Sequence, residues 1–317
     1  MTPFAEAQHF AGAPDWTWYI LFYFFLAGLA GGTYFLATVL RYWGTPADEP
    51  VARLGFYAVL PATLICPILL TLDLSHPLRF WHMLVNTTPD EFGLNFNSGA
   101  PMSVGVWALL VASVFALVSF LDALVRDGKL RHPFARRLAA FLEGPAGKVW
   151  HVVGSAIFLF VAGYTGVLLA VSNQPIWSDS WALGGLFLAS GLSGSAAVLM
   201  LLMTRYRRGA EASRGFLEIA ERLFTMLELV LVAVLVLTLI DDGTVDEAFG
   251  WPWLLLWLVA LAGTLPGLRG LVGDRLRVTA GGTVAVERTA AAWAVAPALI
   301  LIGVFALRAA VIFSAQA

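Results

Sequence analysis

Long stretches of apolar residues dominate this chain, and polar residues fall between the stretches rather than alternating within them. A helix needs about 20 apolar residues to cross roughly 30 Å of hydrocarbon. Stretches of this length and polarity are typical of membrane spans. The sequence therefore predicts eight transmembrane helices, at residues 17–40, 54–74, 102–125, 148–171, 181–204, 218–240, 251–271 and 289–312.

The composition supports an integral membrane protein. Hydrophobic residues make up 59% of the 317 residues and charged residues 13%, and the mean hydropathy is +0.80. A water-soluble fold could not bury so many apolar residues with so few charged ones at its surface. We therefore expect an all-α integral membrane fold. We expect a single membrane domain over 1–317 with an outer tail at 1–16. Helices one to four (17–171) and five to eight (181–312) should form two four-helix bundles, and the inner segment 273–288 a short hairpin.

The distribution of basic residues predicts the orientation. Of the 19 lysines and arginines, 17 lie in the loops after the first, third, fifth and seventh spans, and only Arg79 and Arg308 lie toward the other side. Basic loops stay in the cytoplasm, so both termini should face the periplasm or exterior. Seven tryptophans fall near the predicted outer boundary, which is typical of rings at headgroup depth: Trp16, Trp18, Trp81, Trp177, Trp181, Trp251 and Trp253.

Several classes of function are excluded or disfavoured. The single cysteine, Cys66, cannot build a disulfide framework, an iron–sulfur site or a cysteine-ligated zinc site, and burial should leave its thiol inert. A net charge of −2 with dispersed basic residues gives no indication of a nucleic-acid partner. The first apolar run is too long for a cleaved signal peptide, so we expect it to be a retained span.

The stretch "LDLSHPLRFWHML", residues 72–84, places polar side chains at the outer end of the second span. Pro77 disfavours helical geometry at His76, so this span should end near Leu74 or Ser75. Pro77 can then begin a short amphipathic helix along the outer surface. Asp73 and His76 remain at the break, where hydrogen bonding and proton exchange with water are both possible.

Two other spans bring tyrosines to a similar depth. Tyr23 of the first span and Tyr164 of the fourth could therefore meet Asp73 and His76 in the outer leaflet. Alternatively, each tyrosine is an interface anchor or a helix-to-helix hydrogen bond, and Arg79 holds a lipid phosphate. Asp73 is harder to explain structurally, because ionisable groups at membrane depth are costly and usually functional.

A second acidic residue, Glu228, falls near the predicted midplane of the sixth span. A charged carboxylate there costs at least a few kcal/mol. Glu221, Thr225 and Glu228 share one helix face that leads inward from the cytoplasm. A proton path and a buried structural hydrogen bond both remain open for this face.

Small residues at four-residue spacing predict close helix packing. Gly28 with Gly32, and Gly191 with Ser195, are pairs of this kind. Such pairs let helix backbones approach each other in lipid.

Four segments together resemble the NrfD-like membrane subunits of polysulfide reductase and related complexes. They are "LDLSHPLRFWHML", "GLAGGTYFL" in the first span, "SGAPMSVGVWAL" at the third and "GYTGVLLAVSNQPIW" at the fourth. The resemblance is densest over residues 16–203. It implies a multi-pass anchor in the bacterial cytoplasmic (inner) membrane that binds menaquinone or ubiquinone near the outer face. It also implies that neither haem nor an iron–sulfur cluster is bound by this chain. A ferredoxin-like iron–sulfur subunit would dock at the outer face. It would exchange electrons with this chain and with a molybdopterin-containing catalytic subunit.

The resemblance also implies roles for individual residues. Tyr164 lies where the family has a quinone-contacting tyrosine, and Tyr23 where one well-known member has a histidine. Ser75 replaces a glycine of the family's DLG motif, close to the expected quinone. His76 would join Tyr164 in hydrogen-bonding the quinone oxygens. Arg79 would stabilise negative charge or dock the acidic rim of a partner subunit.

Proton transfer has its own expected residues. An acid within reach of both ligand and water can act as acid or base, so Asp73, with His76, would exchange the protons. Glu228 is a further candidate for proton transfer. No metal site is expected in this chain.

Three other functions compete with this one. A proton-coupled transporter would explain broken helices and a midplane acid, although the polar residues concentrate at one face. A b-type cytochrome needs paired histidines at matching depth, and the five histidines offer no suitable pair. A purely structural anchor, with the quinone bound elsewhere in its complex, stays open.

Overall fold

A computed structural model describes residues 14–88, 92–206, 212–273 and 292–316. Two 3₁₀ helices, Pro46–Asp48 and Pro77–Met83, flank the second long helix. Strands β1 (Val85–Asn86) and β2 (Gly93–Leu94) pair antiparallel, with Val85 opposite Leu94. The α-helices are α1 (Trp18–Trp43), α2 (Glu49–Asp73), α3 (Pro101–Arg126), α4 (Pro133–Phe141), α5 (Pro145–Ala170), α6 (Leu183–Tyr206), α7 (Ala212–Asp242), α8 (Val245–Phe249), α9 (Trp253–Gly273) and α10 (Ala292–Ser314).

Local chemistry accounts for where helices begin. Thr17 precedes α1, and its hydroxyl accepts a hydrogen bond from the Tyr19 amide, which satisfies one free donor of the first turn. Pro101, Pro133 and Pro145 each occupy the first position of a helix. Proline suits this position because it has no amide hydrogen to leave unpaired.

Seven of the described helices are long and apolar enough to cross a membrane. They correspond to seven of the predicted spans, with ends shifted by up to six residues. The apolar stretch Trp253–Leu268 lies within the remaining predicted span but is shorter, so a count of eight spans stays a prediction. The predicted hairpin at 273–288 lies outside the described residues.

The long helices pack in two groups. Helices α1, α2, α3 and α5 contact one another, and α6, α7, α9 and α10 form a second set. Helices α1 and α5 join the groups by packing on α6.

The small residues noted in the sequence lie at the crossing between the two groups. A Cβ atom on Gly191 would stand 3.0 Å from the Gly28 carbonyl oxygen. Ser195 donates a hydrogen bond of 2.8 Å to the Leu29 carbonyl. The predicted close approach is confirmed, and the two small-residue pairs pack against each other.

Two residues lie deeper than the sequence indicates. Trp177 is fully buried rather than at a boundary, because its indole donates 2.7 Å to the Val311 carbonyl and stacks on Trp16. Arg308 is also fully buried, within α10. Tertiary contacts supply the polar partners that water or headgroups would otherwise provide.

We call the two ends of the first helix group the Asp73 end and the Arg41 end. At the Arg41 end, Asp122 is fully buried and binds Arg41 at 2.7 Å and Arg126 at 3.0 Å. Arg41 also reaches Glu49 at 3.0 Å. These ion pairs join α1, α2 and α3, so the Arg41 end is closed by charge pairing while the Asp73 end contains a cavity.

Candidate functional site

A cavity of about 370 Å³ lies at the Asp73 end of the first helix group. Four helices, α1, α2, α3 and α5, surround it, and the 3₁₀ helix Pro77–Met83 covers one side. Most of its walls are apolar side chains. The polar side chains among its lining residues are Tyr23, Thr71, Asp73, Ser113 and Tyr164.

Three of the residues predicted for a binding site line this one cavity. They are Tyr23, Asp73 and Tyr164, on α1, α2 and α5. Both tyrosines are buried, whereas Asp73 is half-buried at the edge. The cavity therefore has a water-accessible acid at one rim and phenol groups deeper within it.

Tyr164 is held in a fixed position. Its hydroxyl donates to the Pro101 carbonyl at the start of α3, and its ring stacks on Phe160. A Cβ atom at Gly105 would stand 2.5 Å from the Tyr164 ring and 2.6 Å from its hydroxyl oxygen. The absence of a side chain at position 105 thus creates the space that this tyrosine occupies.

Tyr23 differs from Tyr164 in its hydrogen bonding. Its hydroxyl makes no hydrogen bond with any of the described residues, although the residue is only 3% exposed. The side chain lines the cavity, so the hydroxyl is available to a polar group within it. A ligand in the cavity could supply the missing hydrogen bond.

Asp73 is oriented by the start of α1. The Thr17 hydroxyl donates 2.7 Å to the Asp73 carboxylate, while also capping α1. Helix α2 ends at Asp73, and the next residue, Leu74, adopts an extended conformation. The predicted end of this span is confirmed, and it leaves the carboxylate at the cavity rim.

The cavity also opens sideways. Pro67 on α2 and Leu110 on α3 both line it and are exposed on the outside of the helices. Neighbouring residues on this outer surface, such as Ile68 and Val114, are apolar and exposed. A membrane-embedded cavity with this opening is accessible from lipid.

Three other predicted residues lie outside the cavity lining. Ser75, His76 and Arg79 are exposed on the segment that follows α2. His76 immediately precedes the 3₁₀ helix, and its carbonyl accepts from the Arg79 amide at 3.0 Å. The predicted short helix after Pro77 is present, but as a 3₁₀ helix. The roles of these three residues toward a ligand remain predictions.

Glu228 lies in the second helix group, away from the cavity. Its side chain is 3% exposed and interacts electrostatically with Arg308 and Glu221. Thr225 donates 3.0 Å to Glu221, so two of the three residues on the predicted polar face are in contact.

Several cavity residues were missed by the sequence reasoning. Trp16 was interpreted only as a boundary residue, and Thr71 and Ser113 have no distinguishing sequence pattern. Thr17 had a usable signal, since a threonine directly before an apolar run is a common helix cap. Its second contact, with Asp73, joins residues far apart in the chain and cannot be predicted from the neighbouring residues.

The arrangement suits an apolar molecule with a hydrogen-bonding end. Apolar walls favour its burial, two phenols can pair with its polar atoms, and Asp73 can pass protons to water. Within the described segments, no three histidine, cysteine or acidic side chains gather into a metal site.

Comparisons with known proteins give a consistent result. A sequence profile of the family described as "Polysulphide reductase, NrfD" matches residues 6–263. The sequence is 29% identical over 195 residues to one of the chains of the polysulfide reductase of Wolinella succinogenes. It is 23% identical over 271 residues to one of the subunits of the selenate reductase of Mesobacillus selenatarsenatis.

The coverage differs among these relatives. The two matches cover 59% and 77% of this chain, and 57% and 63% of those proteins. An NrfD homolog of Haemophilus influenzae is 26% identical over 321 residues, covering 95% of this chain and 94% of that protein.

Proposed function

Since the chain belongs to the NrfD polysulphide reductase family, we propose that it is the quinone-reactive membrane subunit of a respiratory oxidoreductase complex. It is a multi-pass helical membrane protein. The cavity at the Asp73 end carries the proposal, because it combines lipid access, apolar walls and polar groups at one site.

The cavity residues fit a quinone. The sideways opening between Pro67 and Leu110 suits a molecule that arrives with a long apolar tail from the bilayer. The hydroxyl of Tyr23 lacks a partner among the described residues, so it is available to donate a hydrogen bond to a carbonyl oxygen of the quinone. The interior of about 370 Å³ falls within the size range of small-molecule sites.

A bound quinone supplies a carrier of two electrons and two protons. Tyr23 and Tyr164 hold its polar end, and the lone pairs of the Tyr164 oxygen stay available while its hydrogen is donated to Pro101. Asp73 accepts or returns protons at the rim, and Thr17 keeps its carboxylate oriented. His76, exposed just beyond Asp73, exchanges protons with water.

The partner is proposed to bind at the Asp73 end. Four apolar side chains on the segment after α2 are exposed there by 59% to 89%: Leu78, Phe92, Leu94 and Phe96. Exposed apolar patches mark interaction sites. An iron–sulfur subunit docked here, with Ser75 and Arg79 at its edge, would lie close enough to the cavity to exchange electrons. A molybdopterin-containing subunit would complete the complex, which lies in the bacterial inner membrane with the Asp73 end outside.

The first experiment identifies what accompanies the protein. The chain is extracted from native membranes in mild detergent, and co-purifying polypeptides and lipids are identified by mass spectrometry beside an optical spectrum. We expect a cysteine-rich ferredoxin-like chain, a molybdopterin-type subunit and a quinone. Haem bands from this chain, or a colourless solitary protein that transports a solute in liposomes, would contradict the proposal.

The second experiment tests the cavity directly. Replacing Tyr164 with Phe or Asp73 with Asn should lower quinol-dependent turnover of the intact complex by about tenfold or more, since a hydrogen bond is worth about 1.4 kcal/mol. Tyr206→Phe, at the far end of α6 and exposed, is the control and should keep wild-type turnover. Unchanged turnover in both cavity variants would favour a purely structural anchor.

A further inference from the structure

A file of buried polar side chains runs through the second helix group. Its members come from α6, α7 and α10, and each is no more than 5% exposed. We call this set the α7 polar file. Its residues are Ser190, Ser193, Glu221, Thr225, Glu228 and Arg308.

The first half of the file is joined by hydrogen bonds. Thr225 donates 3.0 Å to Glu221, and the Thr225 and Ser193 hydroxyls lie 3.4 Å apart. Gly267 on α9 leaves the room for these groups, because a Cβ atom there would stand 2.8 Å from the Glu221 carboxylate. The α7 polar file therefore begins with Glu221, on the same side of the membrane as the Arg41 end of the first helix group. It continues through the hydroxyls of Thr225 and Ser193.

Arg308 anchors the other half of the file. Its guanidinium donates 2.9 Å to the Ser190 hydroxyl, 2.9 Å to the Phe187 carbonyl and 3.3 Å to the Val304 carbonyl. It also lies 5.0 Å above the Phe187 ring. All of these contacts are with neutral groups, so Arg308 keeps its place without an acid bound to it.

Glu228 is a buried acid of the α7 polar file, and no ion pair joins it to Arg308 among the described residues. It interacts electrostatically with Arg308 on α10 and with Glu221 on its own helix. Its carboxylate makes no hydrogen bond with the described part of the chain. A carboxylate without hydrogen bonds to the protein can gain or lose a proton without breaking one. A carboxylate that accepts structural hydrogen bonds cannot.

We propose that Glu228 is a proton-binding site, reached from the Arg41 end through Glu221 and Thr225. A hydronium ion at the Arg41 end gives one proton to the Glu228 carboxylate and leaves a water molecule, and the charge of the carboxylate changes from −1 to zero. No electron moves in this step. Thr225 and Glu228 are separated by a rise of about 4.5 Å along α7, and a water molecule hydrogen-bonded to both side chains would complete the route.

Arg308 also connects this site with the cavity. The Phe187 ring beneath Arg308 meets Phe24 edge-on, with ring centres 6.1 Å apart, and Phe24 lines the cavity. One aromatic layer thus separates the guanidinium from the cavity wall, where the low dielectric strengthens charge interactions. Protonation of Glu228 should therefore respond to charge in the cavity, a link that rests on the proposed function.

Infrared spectroscopy of the purified complex tests the site without any quinone turnover. Difference spectra between acid and alkaline pH should show the carboxyl stretch of a buried protonated acid in the wild type. Glu228→Gln, which keeps the shape, should lose this band. Glu218→Gln, next to Arg214 on the same helix, should keep it. A band that survives in Glu228→Gln would overturn the proposal.

Proteoliposomes test the access route. The reconstituted complex is supplied with a quinol and an electron acceptor, and a pH dye reports the compartment at the Arg41 end. Wild type and Glu218→Gln should take up protons from that compartment, and Glu228→Gln should not. Wild-type uptake in Glu228→Gln would contradict the inference, whereas absent quinone turnover in the wild type would instead contradict the proposed function.

Discussion

At the scale of single residues, the cavity depends on a missing side chain. Gly105 and Tyr164 come from different helices, and the ring occupies the space that a Cβ atom at position 105 would need. The tyrosine is therefore positioned by the backbone of α3 as much as by its own hydrogen bond to Pro101. A side chain at position 105 should move the phenol away from any bound ligand.

Gly105→Ala is predicted to lower quinol-dependent turnover by about tenfold, which corresponds to the loss of about 1.4 kcal/mol of ligand interaction. Steady-state kinetics of the purified complex measure it. Gly215→Ala, near the start of α7 and away from the cavity, is the control, because a Cβ atom there meets nothing within 4 Å. Equal turnover in both variants would show that the Tyr164 position is not critical.

Asp122→Asn is predicted to destabilise the protein by about 3 kcal/mol, because Arg41 and Arg126 would lose a buried counter-charge. Arg41 would retain Glu49, so folding should weaken rather than fail. Thermal unfolding in detergent, followed by loss of helical signal, measures the change. Glu143→Gln, an exposed site, should unfold at the wild-type temperature; an equal shift in both variants would contradict the prediction.

The sequence predicted the cavity residues only in part. Asp73, Tyr23 and Tyr164 stood out because polar groups in apolar spans are rare, and the structure brings them together. Trp16 and Ser113 could not be found this way, since tryptophan near a boundary and serine in a helix are common. Arg308 was predicted only to lie toward the outer side, because local sequence does not show the carbonyl groups that accept its hydrogen bonds.

At the scale of elements, the ends of helices followed from turn chemistry. The break after Asp73 was predicted from Pro77, and apolar run lengths predicted the ends of seven spans to within six residues. The 3₁₀ form of Pro77–Met83 and the hairpin of β1 with β2 were not predicted. Both depend on contacts within the connecting segment, such as the 2.8 Å hydrogen bond from Asn95 to the His82 carbonyl, rather than on periodicity.

Gly191→Ala is predicted to destabilise the crossing of α1 and α6 by about 1–3 kcal/mol, since the new methyl group would press on the Gly28 backbone. Backbone atoms cannot rotate away as the end of a flexible side chain does. Thermal unfolding in detergent measures it. Gly163→Ala should be close to neutral because its Cβ atom would meet the nearest atom at 3.6 Å. A neutral Gly191→Ala would show that the helices can separate freely.

At the scale of the whole molecule, the predicted orientation rests on the distribution of basic residues and can be tested chemically. Cys66 is fully buried, so an introduced cysteine is the group that a maleimide should label. Leu78→Cys, at an 89% exposed position, should react with a membrane-impermeant maleimide in spheroplasts. Glu143→Cys should react only after permeabilisation. The opposite result would place the Asp73 end in the cytoplasm.

The arrangement of the helices in two groups could be predicted from the sequence only in part. The division after residue 171 followed from counting spans and stays a prediction, because α1 and α5 also pack on α6 across it. The link between the groups, through Gly28, Gly191 and Arg308, depends on a particular rotation of α1 against α6. Small-residue spacing predicted that such a contact exists but not which helices make it.

One contact joins residues that are 300 positions apart. The Trp16 amide donates 2.7 Å to the Gln316 side chain, and Trp16 lines the cavity. The ribosome makes Trp16 long before Gln316, so this hydrogen bond can form only after α10 has been synthesised. The residues that line the cavity all lie between 16 and 168, so during biosynthesis the cavity walls are synthesised well before the contact that fixes the Trp16 backbone.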